Sequence, residues 1–531
     1  MAKKKGKYKN MKKRQMAGII AVAAAIVAVI AAAAIYFSMP IAYHTVVFDQ
    51  DNNMTVTGHY RTFPYAKKEM YRLIEEGAFN PAVLNDQKEI VAIRYGIVDF
   101  KTKTPSENTY FSYDKTGKRG YINGSYGADG IYIDTSDDAA TYKFKLSGAI
   151  GWVSRDDVRL LNYFDPCIQS VNHYQITEED ELRHYATYQV EDENHALAIN
   201  IGSKLPEMGS DIYYSYDGHY FYTSFETMAD DYRNDTYENS INPKEPFYNY
   251  YQFLSARAVS GYTAENIDSF IEKELGYIKK PDSFPMESNA SQLYGEGNNF
   301  INYQNAYGSN AIMMLSLAIN ESGYGQSEIA YTKNNLFGHA AYDNAPMENA
   351  NGYKTVGDSI MTHAQIFVSK AYLNPCDGSD SDNIKVCADN LSSRYNGSFF
   401  GDKGSGMGVS YASDPYWGEK AASFYRRFDR INGYHDSNRC RIGILQDQRH
   451  VNIYAQPDTS SKILYKTPDV SFYTAVILEE TTGESINENN VWYKVQSDVH
   501  LNSERTSMNI ADGSYDFAAD YAYIHSSYFL P

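Results

Sequence analysis

The segment Tyr307–Asp343, YGSNAIMMLSLAINESGYGQSEIAYTKNNLFGHAAYD, constrains the fold of this chain more than any other stretch. Ala311, Met314, Leu315, Ala318 and Ile319 recur at the spacing of one helical face, while Ile312, Met313 and Leu317 make the other face apolar as well. A helix that is apolar almost all round has to lie in a domain core. Ser309 or Asn310 supplies the N-cap, because a short side-chain oxygen there takes a free backbone N–H. Gly323 suits the turn that ends the helix. Just before it stands Glu321, the only acidic residue of the segment ahead of Glu328. A carboxylate at that end meets the negative pole of the helix dipole and partial desolvation, and both favour its protonated form. Such an acid can donate a proton near neutral pH. A Glu that only reaches solvent past the helix end satisfies the same pattern.

The two ends of the chain differ in material. Eight of the 48 basic residues fall within the first 16 positions, which hold no acid. Ala17–Met39 then runs 23 residues without a charge, enough to cross a hydrocarbon core of about 30 Å. The basic flank assigns residues 1–16 to the cytoplasm and the remainder to the outside. The expectation is a single transmembrane helix at 17–39, an extracellular catalytic domain, and secretion to the cell wall if the segment is instead cleaved as a signal. The chain has a formal net charge of −18, which argues against a nucleic-acid partner, since phosphate neutralisation needs Lys and Arg. Four cysteines are too few for a disulfide scaffold, although Cys376 and Cys387 flank a polar loop they could close. No CxxC or HExxH pattern occurs, so no metal and no cofactor are expected. His339 and His363 read as structural.

Thr45–Thr57 is strand-like and Tyr65–Gly77 reads as a short helix, in a region (40–89) expected to link the anchor to the rest. Residues 90–165 alternate as short strands broken by Gly and Asn, at the spacing of a small barrel. Residues 166–246 are β-like and crowded with Tyr, which suits sugar rings and ordinary sheet surfaces equally. Helical patterning governs 247–435. There TAENIDSFIEKEL and VGDSIMTHAQIFVSKAYL carry apolar stripes, Asp389–Arg394 reads as a short helix, and Asn396–Gly408 as a Gly-rich loop over a cleft. Asp414–Pro415 opens a last helix, with Asp as cap and Pro in first position. Residues 440–531 are β again.

Three blocks in order, NESGYGQS, KNNLFGHAAYD and YASDPYWGEK at Tyr411–Lys420, resemble the endo-β-N-acetylglucosaminidase domain of glycoside hydrolase family 73, of the cell-separating type, over roughly Phe247–Asn432. GYINGSY with GWVSRDDV, and VNIYAQPDTSSKIL with VWYKVQSD and YAYIHSSYFLP, resemble bacterial SH3-like modules. The resemblance implies a multidomain chain: an α-rich, lysozyme-like α+β catalytic domain flanked by SH3-like barrels at 90–165 and 440–531. It implies a peptidoglycan hydrolase that binds glycan strands, with the SH3-like modules touching the wall.

Glycoside hydrolysis needs an acid for the leaving oxygen and a group that stabilises or attacks the oxocarbenium ion. Glu321 is the expected acid. The partner is either the substrate's 2-acetamido group or a second carboxylate, drawn from Asp343, Glu348, Asp358 and Asp414; Asp414 also fits a purely structural cap. By resemblance Tyr411 lines the cleft beside the reacting sugar. Asn334, Asn335 and Phe337 shape the cleft floor, Asp343 binds substrate or only fixes a loop, and Tyr324 and Trp417 either stack on sugars or pack in the core. Relatives commonly carry Trp where Tyr324 stands. A muramidase or lytic transglycosylase on a similar fold, or a non-catalytic wall-binding scaffold, remain the rival readings.

Overall fold

The structure is a computed structural model and describes residues 16–17, 20–31, 34, 37–209, 211–280, 289–341, 346–376, 394–447 and 449–529. Two compact units divide the chain. One holds residues 1–96, 135–140 and 160–165, and the other holds 97–134, 141–159 and 166–531.

In the first unit, β1 (Tyr43–Phe48), β2 (Met54–Tyr60), β3 (Asn80–Asn85) and β4 (Ile90–Ile93) form a sheet in the order β2-β1-β3-β4. Helix α1 (Phe63–Glu75) buries Phe63, Ala66 and Met70. Residues 40–89, expected as a linker region, thus carry three strands and a helix. The signal was weak because β3 is buried along its whole length, so it shows no alternation to read. Among the described residues no helix is long and apolar enough to cross a membrane. Positions 18–19, 32–33 and 35–36 of the expected span lie outside them.

The second unit begins with a sheet of which six strands run in the order β5-β8-β9-β10-β6-β7. They are β5 (Gly96–Asp99), β6 (Thr109–Tyr113), β7 (Arg119–Ile122), β8 (Asp129–Thr135), β9 (Thr141–Leu146) and β10 (Ala149–Ser154). The Tyr-rich region supplies a three-stranded antiparallel sheet of β11 (His173–Ile176), β12 (Glu181–Thr187) and β13 (Ala196–Ser203), then helix α2 (Phe225–Arg233).

The helical part is organised by α3 (Gly297–Tyr307), α4 (Ala311–Ser322), α5 (Val356–Thr362) and α6 (Trp417–Ile431). Asn310 is the N-cap of α4: its side chain accepts from the N–H groups of Ile312 and Met313, both at 2.9 Å. Every residue from Ala311 to Ile319 is buried, as an all-round apolar sequence requires. Helix α6 sets Trp417, Ala421, Ala422, Tyr425 and Phe428 into the same core. Helix α5 continues as a π-helical stretch, His363–Tyr372. Cys376 is disulfide-bonded; Cys387 and the start of the expected Asp389–Arg394 helix lie outside the described residues.

The C-terminal part is a six-stranded sheet in the order β14-β17-β18-β19-β15-β16, built from β14 (Arg441–Gln446), β15 (Asn452–Tyr454), β16 (Ile463–Lys466), β17 (Phe472–Ile486), β18 (Asn489–Gln496) and β19 (Tyr521–His525). One buried cation ties it to the helical part. Arg257 donates to Asp498 O at 2.8 Å, Tyr307 O at 2.7 Å and Ser369 Oγ at 3.1 Å, with its guanidinium 3.9 Å from the Tyr515 ring.

Candidate active site

Glu321 occupies the last turn of α4, where Gly323 closes the helix at φ 54°. A left-handed residue there is what lets the chain leave abruptly and keeps the carboxylate from extending into solvent. The side chain is half-buried. Its Oε1 accepts from Trp417 Nε1 at 2.6 Å and lies 3.4 Å from Asn320 Nδ2. A Cβ on Gly338 would stand 3.9 Å from Oε2, so the Phe337–His339 loop faces the second oxygen. Among the described residues Oε2 has no hydrogen-bond partner. Burial pushes the acid up from its ordinary 4.5 to about 7, the Trp417 and Asn320 hydrogen bonds pull it back, and the charge of Asp414 raises it further. The arrangement is that of a carboxylic acid with Oε1 held as acceptor and Oε2 placed to carry a transferable proton.

Trp417 is buried, which fits the core-packing alternative for it. Its indole serves Glu321, and Tyr411 stacks on it at 4.3 Å and 22°. Tyr372 lies on a further face of Tyr411 at 5.3 Å, and the charge of Glu321 is felt at the Tyr411 hydroxyl, whose ionisation burial pushes well up. Glu321, Trp417 and Tyr411, 96 residues apart at the extremes of the first pair, therefore meet in one place. Replacing the indole with a ring that has no N–H leaves the acid without its strongest donor. Trp417→Phe should move the Glu321 midpoint above 7 by about one unit, the equivalent of ~1.4 kcal/mol, read directly from the carboxyl ¹³C shift. An unmoved midpoint would show that the indole does not tune the acid.

The other expected residues divide by what their side chains already touch. Asp414 is ion-paired with Lys420 at 2.6 Å and accepts from the Tyr416 N–H at 2.9 Å, so it caps the approach to α6 while adding its field to Glu321. Asp358 is spent in a reciprocal capping box with Thr355. Glu348 is exposed, and Asp343 lies outside the described residues. Asn334, at φ 53°, ends the helix Glu328–Lys333 and donates to Tyr353 O at 2.9 Å and Lys354 O at 3.2 Å. Asn335 is buried and donates to His339 O and Asn351 O while accepting from the Phe337 and His339 N–H groups. Phe337 is buried against His363 with the rings 3.8 Å apart. These three hold the loop that faces Glu321. Tyr324, half-buried at φ 62°, accepts from Arg427 Nη1 at 3.0 Å and packs on Phe424. Its partners Arg427 and Phe424 line a cavity of about 330 Å³ together with Asn320 and strand β13 residues.

The Gly-rich segment departs most from expectation. Residues 397–408 are buried, not a loop laid over a cleft. A Cβ on Gly401 would fall 2.0 Å from Ser405 O, and one on Gly418 would fall 2.1 Å from Gly401 O, so the glycines are where backbones touch. At its centre Lys403, itself buried, donates through Nζ to Gly408 O at 3.0 Å, Val409 O at 3.2 Å and Ala412 O at 2.9 Å. Those carbonyls bracket Tyr411. Strand β6 clasps the same segment, Tyr113 Oη donating to Lys403 O at 2.6 Å, and the Lys403 N–H donates to Ser147 O at 2.8 Å. Sequence reasoning missed Lys403; a single lysine inside SFFGDKGSGMG was the only signal. Among the described residues no group of three or more His, Cys, Asp or Glu is placed to hold a metal ion.

Residues 297–430 match the glucosaminidase family described as mannosyl-glycoprotein endo-beta-N-acetylglucosaminidase, a span that contains Glu321, Tyr411 and Trp417. Two curated relatives, both from Streptococcus pneumoniae (serotype 4 strain TIGR4 and strain R6), are named as endo-beta-N-acetylglucosaminidases. Each is 26% identical over 308 residues, covering 57% of this chain and 36% or 34% of the relative. The chain therefore spans about a third of the length of those relatives. Similar solved structures include Staphylococcus aureus autolysin E, a catalytic mutant in complex with the disaccharide NAG-NAM, at 16% identity, with 34% of this chain and 73% of that one covered and a TM-score of 0.23. A major bifunctional autolysin follows at 21% identity, 34% and 68% coverage and a TM-score of 0.21.

Proposed function

We propose that the protein is a peptidoglycan hydrolase, an endo-β-N-acetylglucosaminidase that cuts the β-1,4 bond on the reducing side of N-acetylglucosamine. One observation carries the reading: within the residues that match the glucosaminidase family stands a desolvated glutamic acid, its Oε1 fixed by Trp417 and its Oε2 unengaged. Glu321 donates its proton to the leaving glycosidic oxygen. Asp414 is held by Lys420 and Asp358 by Thr355, which favours the substrate's own 2-acetamido group over either of these carboxylates as the partner that attacks the anomeric carbon, with Tyr411 orienting it. Water then opens the resulting ring, Glu321 taking back the proton.

The proposal extends to the setting. The uncharged 17–39 segment behind a basic flank acts as a membrane anchor with the enzyme outside, and the β-rich modules at 90–165 and 440–531, SH3-like in sequence, engage the wall. Mass analysis of fragments released from purified peptidoglycan tests the bond specificity. New reducing ends should be N-acetylglucosamine; N-acetylmuramic acid or anhydro ends would sink the claim, and binding without release would mark a scaffold.

A further inference from the structure

A further cavity of the second unit lies away from Glu321. About 330 Å³ in volume, it lies where the β5–β10 sheet, the Tyr-rich region and the C-terminal sheet meet, with Ser410, the residue before Tyr411, in its wall. That is the lower end of the ~300–1,000 Å³ usual for small-ligand sites. Three features give it chemical character. Its charge is inverted relative to the chain: seven Lys and Arg line it against five Asp, whereas the whole chain has 48 basic and 66 acidic residues. Most of those cations are paired, Lys145 with Asp217 at 2.5 Å and Arg449 with Asp469 at 2.8 Å. Arg119 is not: its guanidinium sits 3.7 Å from the Tyr110 ring and, among the described residues, has no carboxylate partner. Aromatic walls come from Tyr220 and Tyr237, stacked at 4.0 Å and 15°.

The third feature is a buried acceptor. His219 Nδ1 lies 2.7 Å from Phe247 O, a contact only a protonated Nδ1 makes, so Nε2 of the neutral ring is an acceptor. It is buried and unpartnered among the described residues. Among the described lining residues it is the one buried side-chain polar atom without a partner, and such an orphaned acceptor marks the place of a donor from outside.

We propose that this cavity is an accessory binding site for a carboxylate-bearing saccharide. Arg119 receives the carboxylate at the mouth, the tyrosines cover the ring face, and a sugar hydroxyl donates to His219 Nε2. The source of that sugar, the lactyl-bearing residue of wall glycan, rests on the function proposed above; the binding chemistry does not.

Calorimetry on the full chain with three uncleavable probes tests this: N-acetylmuramic acid, N-acetylglucosamine and D-lactate. N-acetylmuramic acid should bind at least tenfold more tightly than either other probe. Arg119→Gln, at an exposed position that leaves the fold intact, should remove that preference without changing cleavage of neutral N-acetylglucosamine oligosaccharides. Equal binding of the neutral sugar, equal binding of lactate, no binding at all, or an unchanged Arg119→Gln variant would each overturn the site. Failure of wild type to cleave any glycan overturns the proposed function and leaves the binding result standing.

Discussion

Glu321→Gln should abolish glycan cleavage and make the protein more stable at neutral pH. A positioned general acid contributes about 10²–10⁴-fold to rate, and glutamine, which keeps an oxygen for the Trp417 N–H but has no proton to give, should lose that factor in kcat with KM little changed. The stability effect follows from linkage. Glu321 holds its proton up to about pH 7 in the folded chain against an ordinary 4.5, so the folded state binds the proton more tightly than the unfolded chain does. Wild type therefore loses stability as pH rises from about 4.5 through 7. Glutamine does not ionise, so its advantage is absent below pH 4.5, grows across that window and reaches ~3–4 kcal/mol above it. Thermal melts at pH 4.5 and 8 beside a reducing-sugar assay measure both. Retained cleavage would remove Glu321 from the reaction. Equal melting at both pH values would show that its carboxyl is not desolvated.

The second large effect is expected at Lys403→Met. The side chain touches no substrate; it gathers the carbonyls of Gly408, Val409 and Ala412 around one ammonium and so fixes the turn bearing Tyr411. Methionine fills the space and leaves three buried acceptors empty, each costing about 1–3 kcal/mol, offset in part by no longer burying a charge. A net loss of ~2–4 kcal/mol is expected. Misplacing a reactive group by about 1 Å costs on the order of 100-fold, so kcat should fall by about that factor while KM stays within a few-fold. A loss confined to thermal stability, with kcat intact, would reduce Lys403 to a core residue.

Where sequence and structure diverge, local and tertiary determinants separate. Helix α4 was legible because its apolar residues, Asn310 and Gly323 act within a few positions of one another. The acid at its end was legible for the same reason, since dipole and burial both follow from the helix itself. The strands of residues 90–165 and 440–531 showed in their alternation. In region 40–89 the strand-like stretch and the helix were legible but β3 was not, because it is buried along its whole length and so shows no alternation.

What surrounds Glu321 was out of reach of local pattern. Trp417 read as a sugar platform or a core residue, and neither reading contained the packing of α6 on α4 that turns its N–H onto a carboxylate 96 residues away. Lys403 and its glycines looked like a solvent loop, because glycine signals freedom in sequence and close approach in a packed interior. Arg257 gave no signal at all, since its three acceptors lie on segments 50, 112 and 241 residues distant. The sequence by itself determined that a buried helix would present an acid at its C-terminal end. Tertiary structure alone decided which donor holds one oxygen, which loop faces the other, and which buried lysine keeps Tyr411 beside it. Those contacts join residues far apart in the chain, and no periodicity or capping rule extends beyond a few turns.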